Sequence, residues 1–405
     1  MRAYIIIGQG AAGTSAATTL RQIDGQASIA MITRESDSFY SRIDLPDIIA
    51  GKYTSDDAVL LRQEQFCAMN VECRMNEAVS RILPGEKTVE LTSGVRLRYD
   101  KLLVATGSEP VVPSFPGMEA RGVYLLWTLD QAREIVQATQ TARTAVVIGA
   151  GLIGLKAALA LRKHGLEVAV VEKMPRIMPQ QLDETAAGIL TEKIVGLGVR
   201  VFTEAQVNAL ETVDGKVSRV LSDQGSLAAN MVIVAVGVRP NVVLAREAGL
   251  AVQRGIVTNE YLETSFPDIY AAGDVAEITD LLTGKSVVPA IWPAAVDQGR
   301  IAALNMAGER IAYDGATAMN SVEIAGIPLI SVGDISAGTG DHVLSARSGD
   351  SYRKIVLHGN KARGVLFMND IRQAGVVVNL VLRQAEVNEM DLLSPTFSFA
   401  SVMAS

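Results

Sequence analysis

Apolar residues in this chain fall into short, continuous runs of strand length, separated by stretches in which apolar positions recur at helical spacing. Residues 4–8, 29–33 and 101–106 read as strands, and residues 11–23 between the first two carry a helical period. The pattern restarts at 145–149, 155–164 and 168–172. Unbroken apolar runs belong to strands covered on both faces, so strand-helix-strand alternation predicts parallel sheets with crossover helices. From about residue 313 the texture changes. Short alternating strands at 322–324, 328–332, 353–357 and 363–367, then an apolar helix over 371–384, predict a separate α+β module.

Each strand-helix series opens on a glycine-rich turn: Gly8-Gln9-Gly10-Ala11-Ala12-Gly13 and Gly149-Ala150-Gly151-Leu152-Ile153-Gly154. A strand that turns sharply into a helix needs glycine for the turn, for close approach to a pyrophosphate and for helix packing, and the helix N-terminus then holds the anion. Glu35 and Glu172 stand about 20 residues further on, where a carboxylate accepts from a ribose diol and repels a 2′-phosphate. Two dinucleotides are implied. The strand ending in Ala271-Ala272-Gly273-Asp274 cannot belong to the second series, which is complete by Val236, so the chain returns to the first. Crossings are read at Val111–Gly122 and Gly237–Asn241. The predicted architecture is α/β, with two Rossmann-like domains, the second inserted in the first. Residues 1–112 and 240–312 form one domain, 113–239 the insert and 313–405 the C-terminal module.

Composition narrows the reading. The 405 residues are 49% hydrophobic, with net charge −7 and mean hydropathy +0.25. No apolar run reaches the ~18 residues of a membrane span, and no signal peptide is read at the N-terminus, so the expected location is cytoplasmic. Charge is spread without a basic block, which argues against nucleic acid. Two cysteines, Cys67 and Cys73, and three scattered histidines predict neither a disulfide framework nor a metal site. The tail from Leu392 to Ser405 is uncharged and rich in apolar residues, and reads either as a docking surface or as a disordered terminus.

Taken together, these motifs resemble the FAD- and pyridine-nucleotide-dependent oxidoreductases of the glutathione-reductase-like superfamily, over nearly the whole chain. Leu103-Val104-Ala105-Thr106-Gly107-Ser108 is similar to its first crossing motif, Val236-Gly237-Val238-Arg239-Pro240-Asn241 to its second, and Tyr270–Val275 to its flavin-ribityl motif. The C-terminal module resembles that of NADH:rubredoxin reductases. The resemblance assigns to FAD the residues Gly8, Gly10, Ala11, Ala12, Gly13, Glu35, Arg42, Val79, Ala105, Thr106, Gly107, Gly273 and Asp274, with Asp274 on a ribityl hydroxyl. It adds Pro293 and Ala294, at the start of a helix whose positive end faces the flavin. To NAD it assigns Gly149, Gly151, Leu152, Ile153, Gly154, Glu172 and Gly237, with NAD favoured over NADP because Glu172 is present.

The thiol chemistry of the superfamily is missing. There is no CxxxxC or CxxC, and the loop Phe39–Pro46, where single-cysteine members carry theirs, has none. A flavin without a protein thiol can accept a hydride and pass electrons on singly. The implied function is electron transfer between NAD(H) and an iron-sulfur or rubredoxin-type protein, by a standalone reductase or by the flavin subunit of a larger oxidoreductase. The alternatives are a peroxide-forming NADH oxidase, or a structural flavin subunit with a degenerate NAD site. One departure stands out. Where relatives that reduce ferredoxins and rubredoxins carry a glutamate after the second fingerprint, this chain has Lys156, and where some carry a lysine in the 39–47 loop it has Asp47. A reversed ion pair between Asp47 and Lys156, near flavin N5, is expected.

Overall fold

The structure is a computed structural model and describes residues 2–386; the apolar tail from Leu392 lies outside the described residues. The chain divides into two compact units. Among the described residues, one comprises 2–41, 56–109 and 238–316, the other 42–55, 110–237 and 317–386.

The first unit is built on a five-stranded sheet. Its order is Ile269–Ala271, Lys101–Val104, Ala3–Ile7, Ser28–Ile32, Val71–Arg74, parallel throughout. The strand from the chain's return, Ile269–Ala271, pairs beside Lys101–Val104, so the two sequence segments share one sheet and one core. The continuous apolar runs are explained by this placement: Ile6, Leu102, Leu103 and Val104 are fully buried. Each such side chain contributes about 1.5–3 kcal/mol. A three-stranded antiparallel meander, Val79–Leu83, Thr88–Leu91 and Arg96–Arg98, is inserted before the fourth parallel strand to be made, Lys101–Val104.

The second unit repeats the plan. Its parallel sheet runs Val123–Leu125, Met231–Val234, Thr144–Ile148, Glu167–Val171, Val199–Phe202, followed in chain order by its own meander, Val207–Val213, Lys216–Ser222 and Gly225–Ala228, before Met231–Val234. Helix Leu129–Thr139 starts on a capping box, with Thr128 accepting from the Gln131 amide. The helix after the second glycine turn begins at Leu152, three residues earlier than its apolar period shows, because Gly151 caps it and its carbonyl accepts from Leu155 N–H at 3.0 Å.

The C-terminal part of this unit is an antiparallel sheet of order Met319–Ile324, Ile327–Gly333, Lys361–Met368, Ser351–His358, Asp341–Ser348. Helix Ala374–Arg383 packs against Lys361–Met368. Strand Asp341–Ser348 was not expected. It is an edge strand of mostly exposed residues, and its state is set by pairing with Ser351–His358 through the turn at Gly349-Asp350.

Asp183 ties the two layers of this unit together. It caps helix Glu184–Gly196 by accepting from Ala186 N–H at 3.0 Å, and it also accepts from Tyr352 Oη at 2.8 Å and lies 3.1 Å from Lys354 Nζ. Burial pushes the Asp183 carboxyl upward, but the Ala186 amide, Tyr352 and Lys354 together hold it below the usual carboxylate range. A lowered folded-state value means that this stabilisation is complete above the ordinary value of about 4 and is lost as pH falls through the folded one. Urea midpoints measured between about pH 6 and pH 3 are therefore expected to fall less steeply in Asp183→Asn than in the unaltered chain. Equal slopes would show that the network carries no linked stability.

Candidate functional site

Both glycine turns are built the same way. In the first, Gly8 has φ +113°, and a Cβ on it would stand 2.1 Å from the Ala105 carbonyl oxygen; a Cβ on Gly13 would stand 1.9 Å from the Gly8 carbonyl oxygen. In the second, Gly149 has φ +103° with a Cβ 2.3 Å from Ala235 O, and one on Gly154 would be 2.0 Å from Gly149 O. The outer glycines are thus fixed by the neighbouring strand and by the turn. The middle glycines differ. A Cβ on Gly10 or Gly151 would meet nothing within 4 Å. These positions face open space at the N-termini of helices Ala11–Ile23 and Leu152–Lys163, which is what a pyrophosphate lying against the backbone requires.

The first cradle carries a second mark of a ligand. Gln9 is 8% exposed and Thr14 is 4% exposed, yet both ends of the Gln9 amide and the Thr14 hydroxyl are buried without a hydrogen-bond partner. Unpaired buried polar groups cost about 1–3 kcal/mol each. Their clustering on one glycine turn fits a bound polar group, and the residues present suit a dinucleotide.

Around that cradle the first unit gathers most of the expected FAD residues: Gly8, Gly10, Ala11, Ala12, Gly13, Glu35, Val79, Ala105, Thr106, Gly107, Gly273, Asp274, Pro293 and Ala294. Asp274 accepts from Ser108 Oγ at 2.7 Å, and Gln298 Oε1 accepts from the Gly273 amide at 2.7 Å, so the Gly273-Asp274 turn is held at both residues. The two crossing motifs are clamped together, with Asn241 Nδ2 donating to Thr106 O at 2.8 Å and Thr106 Oγ1 donating to Asn241 O at 3.1 Å. Helix Trp292–Ala307 begins with Pro293 in its first turn. The Trp292 ring stacks on Phe39, centroids 5.6 Å apart. Glu35 lies beyond the end of strand Ser28–Ile32 and accepts from Tyr40 Oη at 2.6 Å. Val79 opens the meander and packs on the core.

The second unit holds Gly149, Gly151, Leu152, Ile153, Gly154, Glu172 and Gly237, and with them Arg42, Asp47 and Lys156. Glu172 directly follows strand Glu167–Val171, and its two oxygens accept from Ala150 N–H at 2.7 Å and Met174 N–H at 2.8 Å. The carboxylate is thereby pinned to the glycine turn. Gly237 has φ +112°, and its carbonyl accepts from Val111 N–H at 2.9 Å.

Residues 42–55 belong to this unit because short helix Leu45–Ile49 packs on helices Leu129–Thr139 and Leu152–Lys163. Polar contacts reinforce the packing. Arg42 donates to Trp127 O at 2.6 Å with its guanidinium 5.2 Å from the indole centroid, and His164 Nε2 lies 2.5 Å from Ile49 O. Lys156 Nζ lies 3.5 Å from Asp47 Oδ2, and Lys52 Nζ lies 3.7 Å from Asp47 Oδ1. The two oppositely charged residues do meet, and a second lysine shares the carboxylate. That lysine had no signal in the sequence. Ser108, Gln298 and Tyr40 lie inside or beside recognised motifs, but their supporting roles had no signal, because a motif does not say which polar side chain holds a neighbour.

Cys73 offers no thiolate. Burial, with Cys67 and Glu72 adding to it, pushes the Cys73 thiol up to about 12, so it stays protonated at neutral pH. Among the described residues, no helix is long and apolar enough to cross a membrane.

Comparison with known proteins agrees with this geometry. The chain is 30% identical over 393 residues to the NADH-dependent phenylglyoxylate dehydrogenase subunit epsilon of Aromatoleum evansii, covering 96% of this chain and 93% of that one. It is 30% identical over 369 residues to the NADH-rubredoxin oxidoreductase of Clostridium acetobutylicum, covering 91% of each. The solved covalent putidaredoxin reductase-putidaredoxin complex matches with a TM-score of 0.92 at 26% identity, covering 100% of this chain and 98% of that one. By contrast the chain spans about half, 48%, of the NAD(P)H nitrite reductase of Bacillus subtilis. The profile of the pyridine nucleotide-disulphide oxidoreductases matches residues 2–299, and with relatives at this identity aligned end to end the chain belongs to that family.

Proposed function

We propose that this chain is an FAD-dependent oxidoreductase that moves electrons between NAD(H) and a one-electron iron-sulfur or rubredoxin-type protein. The observation that carries the reading is the pair of matching glycine cradles, each open only at its middle glycine, in a chain with no thiol in the Phe39–Pro46 loop. Bound FAD supplies the step from hydride to single electrons. We assign FAD to residues 1–112 and 240–312, NAD to residues 113–239, and the antiparallel module to residues 313–405, in a chain resident in the cytoplasm.

In this reading Gly10 lets the FAD pyrophosphate reach the backbone, Glu35 accepts from the adenosine ribose, and Asp274, held by Ser108, accepts from a ribityl hydroxyl. Gly151 and Glu172 do the corresponding work for NAD. The Glu172 carboxylate, fixed by Ala150 and Met174, favours a free ribose 2′-hydroxyl over a 2′-phosphate. The Asp47-Lys156 pair is assigned to the nicotinamide end of this unit. With Lys52 it forms a cluster of two cations on one carboxylate, which leaves a net positive charge there.

Both the free-standing reductase and the subunit role fit the relatives, which include an NADH-rubredoxin oxidoreductase and a subunit of an NADH-dependent dehydrogenase. The test is a visible spectrum under argon. NADH is expected to bleach the flavin band, and oxidised rubredoxin or ferredoxin to restore it without oxygen. A flavin that ignores NADH would overturn the NAD assignment. One that bleaches and is reoxidised only by oxygen would favour the oxidase.

A further inference from the structure

Glu35 stands in a loop, and a loop carboxylate with three rotatable bonds is a poor preformed ligand, because ordering it costs side-chain entropy. Here the backbone around it is already tied down. Glu35 N–H donates to Thr33 Oγ1 at 3.2 Å, Asn76 N–H donates to Glu35 O at 3.2 Å, and Glu77 N–H donates to Thr33 O at 3.0 Å. The carboxylate is held separately. Tyr40 Oη donates to Glu35 Oε2 at 2.6 Å, within the roughly 2.5–2.7 Å range of a charge-assisted O–H···O⁻ bond.

Tyr40 is itself immobilised. It is 6% exposed and paired with Val59 in the short antiparallel ladder formed by Phe39-Tyr40 and Val59–Leu61. The neighbouring Ser41 N–H donates to Ala58 O at 2.9 Å. A rigid buried phenol donating to one carboxylate oxygen restricts rotation of the Glu35 side chain and so helps hold the carboxylate in one place.

We propose that Tyr40 is a positioning residue for the adenosine half of FAD, acting through Glu35. The proposal rests on the assignment of Glu35 to the adenosine ribose made above. Tyr40 touches no reacting atom in this role. Its effect is on how tightly, and how selectively, the full dinucleotide is held.

Two single variants and their combination test it on the full-length holoprotein, with FAD release on dilution followed by the rise of free-flavin fluorescence. Tyr40→Phe removes one oxygen from a residue whose ring stays in place, and is expected to weaken FAD up to about tenfold, because the Glu35 side chain must then be ordered as FAD binds. FMN, which lacks the adenosine, should bind the variant and the unaltered chain alike. Glu35→Gln should weaken FAD as well, and Y40F/E35Q should be no weaker than E35Q alone, because the phenol acts only through the carboxylate. If E35Q holds FAD as tightly as the unaltered chain, the ribose assignment itself fails. If E35Q weakens FAD but Y40F does not, or if the two losses multiply, or if FMN weakens with FAD, Tyr40 is a structural residue and the positioning role is overturned.

Discussion

Gly13→Val is expected to give a chain that no longer retains FAD, and Gly154→Val one that retains FAD but whose flavin no longer responds to NADH. The physical reason is the same in both turns. A Cβ at either glycine would stand about half of a normal contact distance from a backbone carbonyl oxygen, 1.9 Å from Gly8 O in one case and 2.0 Å from Gly149 O in the other. Those carbonyls cannot give way. Gly8 and Gly149 are themselves pressed against Ala105 and Ala235, at φ values that only glycine adopts without strain. Relief therefore opens the turn and pulls the first helical amides out of line with the pyrophosphate. Overpacking of this kind costs about 3 kcal/mol or more, on the order of a hundredfold in affinity. Flavin content after gel filtration and anaerobic NADH titration separate the two losses. If G154V were still bleached by NADH at the unaltered concentration, the second turn would not be the NAD site.

Reversing the charge of Lys156 is expected to raise the NADH concentration needed for half-bleaching about thirtyfold. Lys156 and Asp47 lie 3.5 Å apart, each with a side chain about a quarter exposed. Two unit charges at ~4 Å interact by about 4 kcal/mol at an effective dielectric of 20, and partial exposure roughly halves that. Lys156→Glu turns attraction into repulsion and pushes helix Leu45–Ile49 away from helix Leu152–Lys163, although Lys52 still compensates part of the Asp47 charge. The decisive arm is Asp47→Lys combined with Lys156→Glu. This restores an attractive pair in the opposite order, and it should recover NADH response to within about threefold of the unaltered chain. High salt should shrink the difference between single and double variants, because screening weakens both the repulsion and its repair. If the double variant is no better than K156E, the lysine matters by itself and the pair does not.

Much of this molecule was legible before its structure. The two parallel sheets follow from unbroken β-branched runs, because a strand covered on both faces has no polar side to alternate with. The glycine turns announced themselves because their requirement is local: within six residues the backbone must reverse and pack a helix closely on a strand. Even the return of the chain to its first sheet could be read, since Ile269–Ala271 was one strand too many for the second. The helix beginning at Trp292 was marked by Pro293 in its first turn.

What could not be read depends on neighbours far apart in the chain. Strand Asp341–Ser348 carries no apolar alternation, and becomes a strand because Ser351–His358 offers its edge. Residues 42–55 follow the first fingerprint in sequence but pack with the second, since the apolar side of Leu45–Ile49 finds its cover on helices Leu129–Thr139 and Leu152–Lys163. That docking brings Asp47 to Lys156, adds Lys52, and sets Arg42 against Trp127. The supporting hydrogen bonds of Tyr40, Ser108 and Gln298 are of the same kind. Sequence alone determined which chemistry the chain is built for, because cradles and strands are short-range patterns. Which groups hold the Glu35, Asp274 and Glu172 carboxylates in place was decided only by tertiary packing, because a hydrogen bond needs its partner within about 3 Å and chain spacing does not encode that distance.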